Sequence, residues 1–82
     1  MPPLVRMYSR PRCGLCDEAR AVILEVRERV PFAFEEVSVE GDDALERAYG
    51  LRVPVVLVDG EERFELTVRA DELVATLRAA GL

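Results

Sequence analysis

The sequence predicts an α/β fold of order βαβαββα, a four-stranded mixed sheet flanked by helices. Three observations carry that expectation. Short apolar runs of strand length alternate with segments whose apolar residues recur every three or four positions. Residues 53–58, Val-Pro-Val-Val-Leu-Val, form a nearly continuous apolar run suited to a strand buried on both faces. Asp59-Gly60 follows directly, a strong two-residue hairpin signal. With 82 residues the chain has room for one compact core, so one domain over residues 1–82 is expected. Half the residues are apolar and a third are charged, a composition that folds.

Leu4-Val5-Arg6-Met7-Tyr8 reads as the first strand, ended by Ser9-Arg10-Pro11. From Cys13 onward, Cys16, Ala19, Ile23, Val26 and Val30 fall on one helical face while charged residues occupy the others, and Pro31 stops the helix. Residues 32–39 are rich in aromatic and β-branched side chains. Phe32 and Phe34 are nevertheless out of phase with Val37 and Val39, which predicts a bulge or an edge position. A short helix over 43–49 follows, with capping oxygens from Asp42 and Asp43, Glu46 three residues after Asp43 as in a capping box, and Gly50 at its end. After the hairpin, residues 61–66 pair back as an antiparallel strand with Phe64 and Leu66 inward. Ala70, Leu73, Val74 and Leu77 mark a last amphipathic helix ending near Gly81. The first βαβ unit implies a right-handed crossover and parallel first and second strands.

The formal charge of −5 argues against a nucleic-acid footprint. The N-terminal residues hold neither a charged n-region nor a long apolar stretch, and no run approaches membrane-spanning length. A cytoplasmic protein, a monomer with no membrane association, is the expectation.

The two cysteines, Cys13 and Cys16, stand at C-x-x-C spacing between the first strand and the first helix. A disulfide there closes so short a ring that it removes little unfolded-chain entropy, so it makes a poor staple. Cys13 falls at the helix N-terminus, where unpaired N–H groups and the macrodipole favour an anion, and Arg10 and Arg12 add positive charge. These influences lower a thiol pKa, against the opposing Asp17 and Glu18. Cys16, one turn further in, faces the core. This asymmetry suits dithiol chemistry in which Cys13 attacks a disulfide and Cys16 resolves the mixed disulfide. Two other readings stay open: a binding module without redox work, and a dimer bridging a metal or iron–sulfur cluster, since one chain offers too few ligands for a closed site. Pro54 is the second feature. A trans proline opening a strand is the ordinary expectation; a cis bond there would leave the Val53 N–H and C=O free to pair with a peptide-like substrate. Tyr8 could line the same groove, although an aromatic at a strand end is more often core.

Met7-Tyr8-Ser9-Arg10-Pro11-Arg12-Cys13-Gly14-Leu15-Cys16 resembles the opening of glutaredoxins, and Val53-Pro54 resembles part of their threonine-valine-cis-proline segment. The residues 8–19 together with 49–61 are similar to the small bacterial glutaredoxin-like proteins of the DUF836 type. The resemblance implies a thioredoxin fold, a nucleophilic Cys13, a resolving Cys16, a cis peptide before Pro54, and Arg10 positioned for a substrate carboxylate. It implies a thiol–disulfide oxidoreductase with no cofactor beyond its own dithiol. Its partners would be low-molecular-weight or protein disulfides and a thiol or reductase electron donor, with glutathione a candidate cosubstrate. The chain departs from glutaredoxins where they carry a glycine pair after the last strand. Here residues 64–71 read Phe-Glu-Leu-Thr-Val-Arg-Ala-Asp, with Glu65 able to repel carboxylates and Asp71 or Glu72 left to supply a polar contact. Arg52 stands where threonine is usual.

Overall fold

The computed structural model describes residues 1–81. Its elements run β1 (Leu4–Ser9), α1 (Gly14–Arg27), β2 (Ala33–Ser38), α2 (Asp43–Tyr49), β3 (Val55–Val58), β4 (Glu61–Glu65) and α3 (Ala70–Ala79). The strands form one sheet in the order β2-β1-β3-β4, with β1 and β2 parallel and the other pairs antiparallel. This is the mixed βαβαββα arrangement that the sequence predicts.

The period of two along the central strands divides the core in two. Val5 and Met7 of β1 and Val56 and Val58 of β3 join Ala19, Ile23 and Val26 of α1 and Leu73 and Leu77 of α3 in one apolar cluster. Tyr8, Val55 and Leu57 point the other way, into a smaller cluster with Cys16, Val39 and Val53, against which Leu45 and Tyr49 of α2 pack. Since β3 is buried along its whole length, its apolar run needs no polar face.

Helix α1 ends at Arg27, a turn earlier than Pro31 requires; the Glu28 and Arg29 N–H groups close the last turn, and Arg27 Nε donates to the Phe32 carbonyl at 3.1 Å. Strand β2 lies at the sheet edge, as the mixed phase of residues 32–39 allows. Its register with β1 is regular, with Phe32 and Val39 buried just beyond its two ends.

The irregularity sits in β4 instead. Val56 pairs with Phe64 while Leu57 pairs with Glu62, leaving Arg63 as the extra residue of a bulge. Without it, Glu62 and Glu65 would lie on opposite faces; with it, both reach Arg52. The end of the strand at Glu65 corrects the expectation for Leu66. That residue follows the strand at φ 70° with its side chain 43% exposed, so only Phe64 packs inward.

The hairpin between β3 and β4 has Asp59 at φ 50° and Gly60 at φ 84°, the pair of left-handed residues a type I′ turn needs. Asp59 also accepts from the Leu4 N–H at 2.9 Å, fastening the turn to the start of β1. In α2 the cap is Asp42, whose Oδ1 accepts from the Leu45 N–H at 3.0 Å. Glu46 forms no capping box with Asp43; its carboxylate is drawn across to Arg10.

Candidate active site

The loop between β1 and α1 turns at Arg12, which adopts φ 55°, and delivers Cys13 as the N-cap of α1. Cys13 Sγ accepts a hydrogen bond from the Cys16 N–H at 3.1 Å, so the sulfur takes the place a serine or aspartate oxygen holds in most helix caps. A sulfur at that point sees the N–H groups of the first turn and the positive end of the helix dipole, both of which favour its thiolate. Cys13 and Cys16 are joined as a disulfide with Cα atoms 5.2 Å apart. Their surroundings differ: Cys16 is fully buried in the smaller cluster, whereas Cys13 is partly exposed at its edge.

Val53 is buried in the same cluster, and the Val53–Pro54 peptide is cis. Among the described residues no backbone group pairs with the Val53 N–H or C=O, while the Pro54 carbonyl accepts from the Leu66 N–H at 2.8 Å. Four residues singled out in the sequence, Cys13, Cys16, Val53 and Pro54, thus gather at one end of the sheet.

Tyr8 and Arg10 both have partners within the protein. Tyr8 is buried and stacks on Tyr49, ring centroids 4.3 Å apart and planes 12° from parallel, the core placement that an aromatic at a strand end favours. The reason is its place on β1: its side chain projects to the α2 face, where Tyr49 covers it. Arg10 is held by Glu46 (Nη2 to Oε1, 2.6 Å) and by the Gly50 carbonyl at 2.8 Å. Its guanidinium ties the thiol loop to the end of α2 and has its hydrogen-bonding edge filled from within the protein. Gly50 has helical dihedrals; a Cβ there would strike the Glu46 carboxylate and carbonyl and come to 3.0 Å from the Arg10 guanidinium. Close approach, not a left-handed turn, demands this glycine.

Arg52 is likewise engaged. It lies 5.7 Å from the Tyr49 ring centre, donates to the Ala48 carbonyl at 2.8 Å, and pairs with Glu62 and Glu65, which hold its guanidinium firmly in the charged form. Asp71 and Glu72 both lie beside Arg69, and the pairing with Arg69 keeps the Asp71 carboxyl below the usual carboxylate range. Arg12, next to Cys13, is exposed and has no ion pair among the described residues. Sequence reading does not foresee Tyr49, Glu46 and Leu66 as neighbours of this site. A glycine at the end of α2 is the only local sign of the Arg10 contact, and it admits an ordinary helix-end explanation.

Glu36 forms a second polar hub on the β2 side. It accepts from Ser9 Oγ at 2.6 Å and from Arg20 at 2.6 and 2.7 Å, which satisfies the buried Ser9 hydroxyl and draws the Glu36 carboxyl below its ordinary value, chiefly through Arg20. The Arg20–Glu36 pair joins α1 to β2, and Arg20 also reaches Asp17 within α1 at 2.9 Å.

The geometry has counterparts among known proteins. No curated protein matches the chain. Among solved structures it is similar to the target protein XcR50 from X. campestris, with 37% identity, TM-score 0.78, and 92% of this chain and 96% of that one covered. It is similar to protein Ne2328 from Nitrosomonas europaea, with 28% identity, TM-score 0.82, and 94% and 93% coverage. It is also similar to a mutant thioredoxin from Halobacterium salinarum, with 27% identity, TM-score 0.66, and 94% and 73% coverage. The fold is therefore the thioredoxin fold. The glutaredoxin-like domain (DUF836) model matches residues 4–78, almost the whole chain, and the protein belongs to that glutaredoxin-like family.

Proposed function

We propose that this protein is a dithiol–disulfide oxidoreductase in which Cys13 attacks and Cys16 resolves. The single observation that carries the reading is the unequal placement of the two sulfurs, one capping a helix N-terminus at the edge of the protein and the other buried one turn inside. In the reduced protein the Cys13 thiolate attacks one sulfur of a substrate disulfide. The S–S bond breaks, the departing thiolate takes a proton, and a mixed disulfide with Cys13 remains. Cys16 then gives up its proton and attacks Cys13 Sγ, releasing the second substrate thiol and leaving the protein oxidised by two electrons. A low-molecular-weight thiol or a reductase restores the dithiol.

The Cys16 N–H and the helix dipole stabilise Cys13 as nucleophile and as leaving group alike. Val53 offers a backbone N–H and C=O without a partner among the described residues, suited to an extended peptide carrying the target disulfide. Arg12 supplies the free positive charge next to Cys13. We place this activity in the cytoplasm, where dithiol reduction is the prevailing direction; among the described residues no helix is long and apolar enough to cross a membrane.

The test is the rate of iodoacetamide alkylation of Cys13 against pH in a Cys16→Ser variant. The reading expects a transition well below the free-thiol value of about 8.5. A transition at or above that value overturns the activated nucleophile.

A further inference from the structure

We propose that the groove between α1 and the β4–α3 loop selects protein disulfides over small acidic ones by seating an apolar side chain of the substrate between Leu15 and Leu66. The inference rests on the oxidoreductase reading and names the substrate class of that same site.

Leu66 is the first observation. It holds φ 70°, a conformation that crowds the Cβ of a leucine and that glycine or asparagine takes far more readily. A bulky residue kept at such a position normally gains burial in return, yet this side chain is 43% exposed. Leu15, between the two cysteines in the chain, is 41% exposed. With Ala19, Val22 and Val68 these two leucines line a groove of about 160 Å³. The Leu66 N–H is bonded to the Pro54 carbonyl, so the groove adjoins the Val53–Pro54 segment and the thiols.

Size and charge decide between occupants. A site for a whole small molecule spans roughly 300 Å³ or more, so this groove takes one side chain, not a tripeptide. Its one charged lining residue is Glu18, which has no ion pair among the described residues, and Glu65 lies next in the chain to Leu66. An acidic ligand meets the Glu18 carboxylate here; of the cations near the thiols, Arg10 and Arg52 already hold Glu46, Glu62 and Glu65, and Arg12, the one without an ion pair among the described residues, is not part of the groove lining. The complementary occupant is an extended protein segment with a leucine or similar side chain beside its disulfide and a basic residue next to that.

The experiment mixes the reduced protein with three disulfides and follows its loss of two thiols by quenched alkylation and mass spectrometry. They are bis(2-hydroxyethyl) disulfide, the homodisulfide of acetyl-Cys-Leu-Arg-amide, and that of acetyl-Cys-Ser-Glu-amide. The Leu-Arg peptide should oxidise the protein about tenfold faster than the Ser-Glu peptide, the discrimination one apolar side chain gives. Leu66→Gly, Leu66→Asn and Leu15→Ser should each lower that ratio several-fold, leaving only the share due to charge at Glu18, with melting temperatures showing that the variants fold. Equal rates for the two peptides in the unaltered protein overturn the inference, as does a ratio that survives undiminished in folded Leu66 and Leu15 variants. Failure to react with bis(2-hydroxyethyl) disulfide as well as with both peptides overturns the oxidoreductase reading itself.

Discussion

The two faces of the sheet are built from the same strands and from different chemistry. The face under α1 and α3 is apolar throughout: Val5, Met7, Ile23, Val26, Phe32, Val56, Leu73 and Leu77 are buried there without a titratable group among them. The face under α2 carries both thiols, the stacked tyrosines and a ring of ion pairs, and its covering helix has seven residues, none of them buried. Burial of apolar area is non-directional and strong, so the first face supplies most of the stability. Polar ties are directional and individually weak near solvent. They suit the second face, where Cys13 and the Val53 backbone must stay accessible.

The contrast between the faces is greatest at Cys13. Cys13→Ser should lower disulfide reduction by roughly three orders of magnitude or more, as loss of a covalent nucleophile does. It should change the stability of the reduced protein by less than about 1 kcal/mol. Disulfide-exchange kinetics and urea denaturation under reducing conditions read the two separately. A matched change on the opposite face inverts the pattern. Leu73→Ala removes a fully buried side chain and should cost about 2–5 kcal/mol in denaturant unfolding, with the thiol reactivity of the folded fraction unaltered.

Smaller effects mark the boundary between the faces. Gly50→Ala forces the Glu46 and Arg10 side chains apart and should destabilise by about 1–3 kcal/mol. Because Arg10 braces the loop before Cys13, the same variant should also shift the pH profile of Cys13 alkylation, which a purely structural lesion far from the loop would leave in place. The weakest effect concerns pH. The Glu36 carboxyl is held below its ordinary value by Arg20 and Ser9. Its contribution to stability is therefore complete above the unfolded value of about 4.3 and is lost as the pH falls through the lower folded value. Stability measured between about pH 6 and about pH 3 should fall less steeply in Glu36→Gln than in the unaltered protein.

Local rules reach far in this chain. The order of elements, the two-residue hairpin at Asp59-Gly60 and the placing of Cys13 at a helix start are all readable in the sequence, while the mixed phase of residues 32–39 leaves a bulge or an edge position open and the fold takes the edge. Each depends on neighbours within a few positions: periodicity, a turn dipeptide, a cap. The pairing of the two cysteines is readable for the same reason, since one turn of helix sets the distance between Cys13 and Cys16.

Which charges are free is a matter of packing. In the sequence Arg10 and Arg12 flank Cys13 and Arg52 precedes Val53-Pro54, three cations each able to attract an anion. In the fold Arg10 meets Glu46, Arg52 meets Glu62 and Glu65, and Arg12 alone is left without an ion pair among the described residues. The pairing of Arg52 depends on a bulge at Arg63 that brings two glutamates three residues apart onto one face, and that of Arg10 on packing α2 against a loop 36 residues away. Contacts of this kind form between segments whose positions are set by the core, so no local pattern announces them. The fold and the cysteine pair thus follow from patterns within the chain. The electrostatics around that pair come from the packing of α2 and the bulge in β4, because a guanidinium's partner is chosen by what the finished core brings within reach.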